Sequence, residues 1–185
     1  MLIWRARSLS SLSWSKNLGA RQINTVLGDE LHRWVAFAQI IHVTGPADFR
    51  RMQELRAALP QNLQHRYQPF EYMADDFPIA LAASDLAVSR AGASVLGEYP
   101  ASGLPAILVP LPIAGGHQLA NARMLEQAGA AVVINDADTP GQLLPAVRQI
   151  LQDPERLAEM RRRAAAAAQP DAARRIAKVI WEARK

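Results

Sequence analysis

Apolar positions along the chain fall into two rhythms. Short runs of four or five residues, several of them β-branched, stand at 39–43, 66–70, 86–89, 106–109 and 131–134. They read as buried strands. The longer stretches between them read as helices, at 20–33, 47–58, 77–83, 93–102, 118–128 and 140–151. The strands are apolar nearly throughout, as in Ala106-Ile107-Leu108-Val109, rather than alternating. That is expected where both faces of a sheet are covered. Strand–helix alternation of this kind predicts an α/β fold, a parallel sheet with helices on both faces.

The rhythm changes after Asp153-Pro154. Pro154 suits the first turn of a helix and Asp153 its N-cap. Residues 155–168 are rich in Ala, Arg, Glu and Leu, all strong helix formers. Pro170 interrupts, and 171–184 reads as a last helix. No internal repeat is visible. Residues 1–17 do not fit the order, with five serines, three basic residues and no acid. They admit three readings: a targeting segment, a poorly formed first strand leading into the helix after Gly19, or a start whose natural beginning is lost.

Composition narrows the chemistry. The chain has 185 residues, half of them hydrophobic and 21% charged, as in ordinary globular domains. There are no cysteines, which excludes disulfides, thiolate zinc sites and a cysteine nucleophile. No apolar run approaches the roughly 18 residues of a membrane-spanning helix. Residues 1–150 carry 12 basic and 12 acidic groups, so the net charge of +4 comes entirely from 151–185, with nine basic and five acidic. A solvated helical face explains this excess. Trp181 is the only aromatic there, so stacking on bases has little support and no nucleic-acid partner is expected.

Two stretches carry candidate chemistry. Ser89-Arg90-Ala91-Gly92-Ala93-Ser94-Val95-Leu96-Gly97-Glu98 follows a strand and opens a helix. Gly92 permits a tight turn and close approach of a ligand to the backbone. The amides of Ala93, Ser94 and Val95 are first-turn donors suited to a phosphate or diphosphate. Glu98 is placed to accept both hydroxyls of a ribose. A bare strand–helix turn, which also uses a glycine and a small cap, explains the same residues. The second stretch, Pro110 to Asn121, follows the strand at 106–109. Gly115-Gly116 lets it bend, and His117, Gln118 and Asn121 offer donors and acceptors suited to sugar hydroxyls. Gln118 and Asn121 share a helix face. The plain alternative is N-capping of the next helix. Leu18-Gly19-Ala20-Arg21 could also present amides to a phosphate, a weak signal alone. His42 reads as a packed core or edge residue and Asp75-Asp76 as helix capping. No His/Asp/Glu cluster has metal-ligand spacing, and neither a G-x-S-x-G elbow nor a P-loop is present.

Taken in order, Leu18-Gly19-Ala20-Arg21, His42-Val43-Thr44-Gly45, Ser89-Arg90-Ala91-Gly92-Ala93-Ser94, Gly103-Leu104-Pro105-Ala106, His117-Gln118 with Asn121-Ala122, and Glu126-Gln127-Ala128-Gly129-Ala130-Ala131 resemble one family. They look like the C-terminal, donor-binding half of the MurG-type N-acetylglucosaminyltransferases of glycosyltransferase family 28. The resemblance covers residues 18–177. It implies a Rossmann-like domain, one half of a GT-B arrangement, that binds UDP-N-acetylglucosamine for transfer to a lipid-linked muramoylpentapeptide in peptidoglycan synthesis. It implies no cofactor and no metal, and a cytoplasmic place peripheral on the plasma membrane. Carried over by motif, Gly92 to Glu98 would hold the diphosphate and ribose, with Glu98 on the ribose diol. The backbone near Ala74 would hold the uracil, and Gln118 and Asn121 would meet the sugar, with His117 close by. The expected organisation is an atypical or truncated start at 1–17, a nucleotide-sugar-binding domain at 18–152 and C-terminal helices at 153–185.

Two departures from the family pattern matter. The family has Gly-Gly-Ser before the Leu-Gly-Ala-Arg motif, whereas this chain has Ser15-Lys16-Asn17. Asn17 would stand where the family serine approaches the donor phosphate. The family also has an N-terminal domain bearing the acceptor site, which these motifs do not include. The expectation is therefore donor binding without turnover by this chain alone, the acceptor being met through an N-terminal domain or a partner chain. The alternatives are a separate donor subunit of a two-chain lipid-linked N-acetylglucosaminyltransferase, and a UDP-sugar-binding module without catalysis. In the family the last helix crosses to the other domain, so an exposed apolar face around Trp181 is expected.

Overall fold

A computed structural model describes residues 8–12 by backbone alone, and residues 21–112 and 116–184. In chain order the elements are β1 (Ser8–Leu12), α1 (Arg21–Asp29), α2 (Leu31–Val35), β2 (Gln39–Val43), α3 (Pro46–Ala58), β3 (Tyr67–Phe70), α4 (Phe77–Ala83) and β4 (Leu86–Ser89). There follow α5 (Val95–Ala101), β5 (Ala106–Leu108), α6 (His117–Gln127), β6 (Ala131–Val133), α7 (Thr139–Leu151), α8 (Pro154–Ala166) and α9 (Ala172–Glu182). The described strands form one parallel sheet in the order β3-β2-β1-β4-β5-β6. This is the doubly wound α/β arrangement expected from the alternation, and its order reverses between β1 and β4.

The elements depart from the sequence pattern at several places, most of them shifts of one or two residues. Of the three readings open for residues 1–17, the poorly formed first strand is the one seen: β1 reads Ser-Leu-Ser-Ser-Leu, with no β-branched residue and only two apolar ones, and is held in the middle of the sheet by pairing with β2 and β4. The helix expected over 20–33 is two helices, because Glu30 leaves helical geometry at φ −119°, ψ 22°. The strand expected from Arg66 starts at Tyr67, since 64–66 is a 3₁₀ turn. Helix α5 starts at Val95 rather than at Ala93.

The strands end flush. Register partners Phe70, Val43, Leu12, Ser89, Leu108 and Val133 form one row across the sheet at its carboxyl edge. Segments 44–45, 71–76, 90–94 and 109–112 therefore leave from the same edge. Helix α4 lies against β1, so the 71–76 connection, starting from the edge strand β3, passes over the end of β2 to reach it.

The two faces of the sheet are packed differently. Leu86, Val88, Ile107 and Val109 join a core of large residues from α1, α2, α3 and α7, among them Trp34, Met52, Leu143 and Val147. The alternate residues Ala87, Ala106 and Leu108 face a second core rich in alanine, with Ala91, Ala122, Ala130 and Ala131. Small side chains there let α5 and α6 approach closely, while the first face is filled by larger ones. Helix α6 ends in a Schellman arrangement, with Ala130 N–H on Leu125 O and Gly129 N–H on Glu126 O, both at 2.9 Å. Gly129 sits there at φ +75°, a left-handed conformation that favours glycine.

Helix α8 belongs to the core, giving Met160 to the first cluster and Ala164 to the second. Arg161 ties it to the turn before β4 through Ser84 O (3.1 Å) and Asp85 Oδ1 (2.6 Å). Helix α9 buries nothing: Ile176, Val179, Ile180 and Trp181 are 59–68% exposed. The apolar face expected around Trp181 is present.

Candidate functional site

The β4–α5 turn stands at the carboxyl edge beside the reversal of strand order, where ligands of open α/β sheets bind. Buried side chains hold it from below. The Tyr99 hydroxyl donates to Ser89 Oγ (2.8 Å), which donates to Arg90 O (2.9 Å). Burial raises the Tyr99 phenol above its ordinary range, so it remains a donor. Arg90 is itself buried, and its guanidinium donates to Val109 O (3.1 Å) and to Asp136 Oδ1. That pair joins the end of β4 to the end of β5 and to the turn before α7. Asn121 Nδ2 donates to Ala91 O at 3.0 Å from a third side.

Above this support, Ala93 and Ser94 are exposed. Among the described residues no acceptor is bonded to their amides. The Val95 amide is already used, donating to Gly92 O at 3.3 Å, so the expected three free donors are two. Ser94 is at the N-cap position, and its side chain makes no capping bond. Gly92 is not among the glycines with a positive φ, so its backbone conformation does not itself demand glycine. A Cβ on Gly92 or on Gly97 would meet nothing within 4 Å, so both face open space. Leu96 packs against the second core. Glu98 is half-buried in the first turn of α5, and its carboxylate has no hydrogen bond or ion pair among the described residues.

The β5–α6 region shows a second correction. Gln118 and Asn121, read as sugar-facing amides, each spend one atom on the backbone. Gln118 Oε1 accepts from Leu111 N–H at 2.9 Å, and Asn121 reaches Ala91 as above. Gln118 Nε2 and Asn121 Oδ1 are the ends left for a ligand. Plain N-capping does not explain these side chains, because the cap is Gly116, at φ 79°, with no side-chain capping bond. His117 is exposed at the first position of α6. Residues 113–115 lie outside the described residues, as do Asn17 and the Leu18-Gly19-Ala20 part of its motif.

At the other end of the edge, Ala74 is exposed in the 71–76 connection and its carbonyl accepts from Phe77 N–H at 3.1 Å. Asp76 takes the N-cap position of α4, but caps it only through its backbone, so the capping expected of Asp75-Asp76 holds in position and not in side chain. Among the described residues no group of three metal-ligating side chains occurs. His42 is a core residue as expected. It bridges Tyr67 Oη (2.7 Å) and Asn24 Oδ1 (2.9 Å), and burial pushes its pKa down to about 3. The pattern gave no role to Asn24, Arg90, Tyr99 or Asp136. The available signal was polar residues inside otherwise apolar stretches, such as Asn24 next to Ile23.

Residues 17–176 match the family described as glycosyltransferase family 28 C-terminal domain. The chain belongs to this family. Its relatives include the UDP-N-acetylglucosamine–N-acetylmuramyl-(pentapeptide) pyrophosphoryl-undecaprenol N-acetylglucosamine transferase of Roseiflexus sp. (strain RS-1). That protein is 44% identical, over 86% of this chain and 40% of the relative. The transferase of the same description from Desulfitobacterium hafniense (strain Y51) is 39% identical, over 96% of this chain and 49% of the relative. Among solved structures, MurG of Acinetobacter baumannii superposes with a TM-score of 0.81 at 29% identity, covering 95% of this chain and 50% of that one. The UDP-GlcNAc 2-epimerase of Neisseria meningitidis, solved with UDP-GlcNAc bound, shares the fold, with a TM-score of 0.66 at 13% identity. This family 28 domain thus spans half or less of the length of the relatives it matches. The α/β fold expected from the strand–helix alternation is the fold of one half of a GT-B glycosyltransferase.

Proposed function

We propose that this chain is the donor-binding half of an enzyme that moves N-acetylglucosamine from UDP-N-acetylglucosamine to a lipid-linked muramoylpentapeptide, the step from lipid I to lipid II in peptidoglycan synthesis. The observation that carries the reading is the open β4–α5 turn at the reversal of strand order, in a chain 44% identical to a transferase of that description. The Ala93 and Ser94 amides, at the positive end of α5, take the diphosphate. Glu98 accepts the two ribose hydroxyls, the backbone at Ala74 takes the uracil, and Gly92 and Gly97 leave room for the ligand. Val95 and Leu96 fix the turn by packing beneath it. His117, Gln118 Nε2 and Asn121 Oδ1 face the sugar.

In the transfer, the bond from sugar C1 to the diphosphate oxygen breaks as an acceptor hydroxyl oxygen bonds to C1 and loses its proton. This half contributes charge stabilisation on the leaving diphosphate, where negative charge grows. The acceptor, and the base that takes its proton, belong to an N-terminal domain or partner chain, so turnover requires both halves in register. The lipid-linked acceptor places the assembled enzyme peripherally on the cytoplasmic face of the membrane.

Calorimetric titration with UDP-N-acetylglucosamine, with UDP-glucose as comparison, tests the reading. Saturable binding that weakens at least tenfold in Glu98→Ala is expected, since two hydrogen bonds to a charged acceptor are lost. A folded chain that shows no binding, or binds equally well without Glu98, refutes it.

A further inference from the structure

Asn121 makes a bond that a contact to the sugar does not explain. Its Nδ2 donates to the carbonyl of Ala91 at 3.0 Å, reaching from α6 to the β4–α5 turn. A carbonyl can only accept, so the amide orientation is fixed and Oδ1 is left as the free acceptor. The Ala91–Gly92 peptide is trans and planar. Its carbonyl and its N–H therefore point in opposite directions. With the Ala91 carbonyl drawn toward α6, the Gly92 amide faces away from that helix. Among the described residues no acceptor is bonded to this amide, and Gly92 borders open space.

The next two peptides of the turn are set in the same way, but from within. Gly92 O accepts from Val95 N–H at 3.3 Å, and Ala93 O accepts from Leu96 N–H at 3.2 Å. Both carbonyls are drawn toward α5, which turns the Ala93 and Ser94 amides away from it. Three successive amides, at Gly92, Ala93 and Ser94, are thus left unbonded among the described residues. The backbone of the turn and helix aims two of them. Among the described residues, Asn121 alone holds the carbonyl that aims the third. Ser89 Oγ fixes the preceding peptide, through Arg90 O at 2.9 Å, and does not reach this one.

We infer that Asn121 is a positioning residue for the diphosphate as well as a contact to the sugar: by holding the Ala91 carbonyl it presents the Gly92 amide as a phosphate donor beside Ala93 and Ser94. The inference rests on the donor-binding reading and deepens it. The Val95 amide, spent on Gly92 O, is made good at the other end of the turn. Without the brace the Ala91–Gly92 peptide is free to rotate, because glycine tolerates φ of either sign, and the donor is then no longer aimed. Small displacements of groups that must act together carry large penalties. A sugar contact matters when the sugar is present, whereas a brace matters for the diphosphate by itself.

The test therefore uses ligands that carry no N-acetylglucosamine. UDP and uridine are titrated into the wild-type chain and into Asn121→Ala, by calorimetry for UDP and NMR shift titration for uridine. Asn121→Leu, close to asparagine in size and without a donor, carries the test if the alanine variant does not fold. UDP affinity is expected to fall roughly fivefold, the scale of one lost hydrogen bond. Uridine affinity should stay within about twofold, because its contacts at Ala74 and Glu98 share no partner with Asn121. UDP should also shift the Gly92 amide resonance of the wild type, and that shift should shrink in the variant. A folded variant that binds UDP as the wild type does overturns the inference and leaves the donor reading intact, Asn121 then serving the sugar alone. An equal loss for UDP and uridine overturns it as well, and so does a Gly92 amide that bound UDP does not move. A folded wild type that binds no UDP overturns both readings.

Discussion

Acidification isolates the buried histidine. His42 is surrounded by Tyr67 from β3 and Asn24 from α1; behind Asn24 stands the Asp48 carboxylate of α3, and Arg51 acts on Tyr67. Asn24 Nδ2 donates to Thr44 O and to Asp48 Oδ2, so Asn24 Oδ1 accepts from His42 Nε2. No acceptor is left for a second imidazole proton, because Nδ1 already receives the Tyr67 hydroxyl. Burial lowers its pKa from 6.5 to about 3. The unfolded chain therefore binds a proton that the folded chain refuses between those values, and stability falls as the pH drops through that window. Above pH 6.5 the contribution is fully present. From pH 7 to pH 5 the loss is on the order of 2 kcal/mol, from 1.36 kcal/mol per pH unit over about 1.5 units. For a chain of this size that lowers Tm by about 4–8 °C. Urea unfolding at pH 7 and pH 5, on the wild type and on His42→Gln, separates this group from the carboxylates that also titrate. The wild type should lose about 2 kcal/mol more than the variant over that interval. An NMR titration gives the site directly, since the His42 ring resonances should not move between pH 8 and pH 5. A His42 resonance with a midpoint near 6.5, or identical pH dependence in the variant, refutes the reasoning.

Two further perturbations probe the support of the candidate site and the free helix. Asp136→Ala removes the carboxylate facing the buried Arg90 guanidinium; because Asp136 is 26% exposed and water can replace it in part, a loss of about 2–3 kcal/mol is expected in urea unfolding. A loss under about 0.5 kcal/mol, the range of ordinary surface substitutions, would show that the pair does not support the turn. Ending the chain after Gln169 removes α9, which buries no residue. Stability of the remainder should change by less than about 1 kcal/mol, and any concentration-dependent self-association seen in sedimentation should fall, because an exposed apolar face is lost. A large drop in stability would show that α9 is docked.

The candidate site was legible where the chemistry is local. A strand running into Ala91-Gly92-Ala93-Ser94 announces a turn with free amides, and the turn lies where the pattern placed it, with Val95 as the one amide already spent. Glu98, one turn on, needed no knowledge of the rest of the molecule. Gln118 and Asn121 share one helix, as their spacing predicts, yet their bonds to Leu111 and Ala91 were invisible, because those partners are 7 and 30 residues away.

Sequence alone determined the alternation of strands and helices, since burial on two faces of a sheet or one face of a helix leaves a period in the residues themselves. It also determined the absence of cysteine chemistry and the basic balance of the last two helices. Tertiary structure alone decided that the serine-rich segment Ser8–Leu12 is the central strand, held by pairing with β2 and β4 rather than by its own propensity. It decided that Arg90 finds Asp136, and that Asn24, His42 and Tyr67 close one directed chain under the carboxyl edge. Such pairings depend on where distant backbone segments meet, and local periodicity holds no record of those distances.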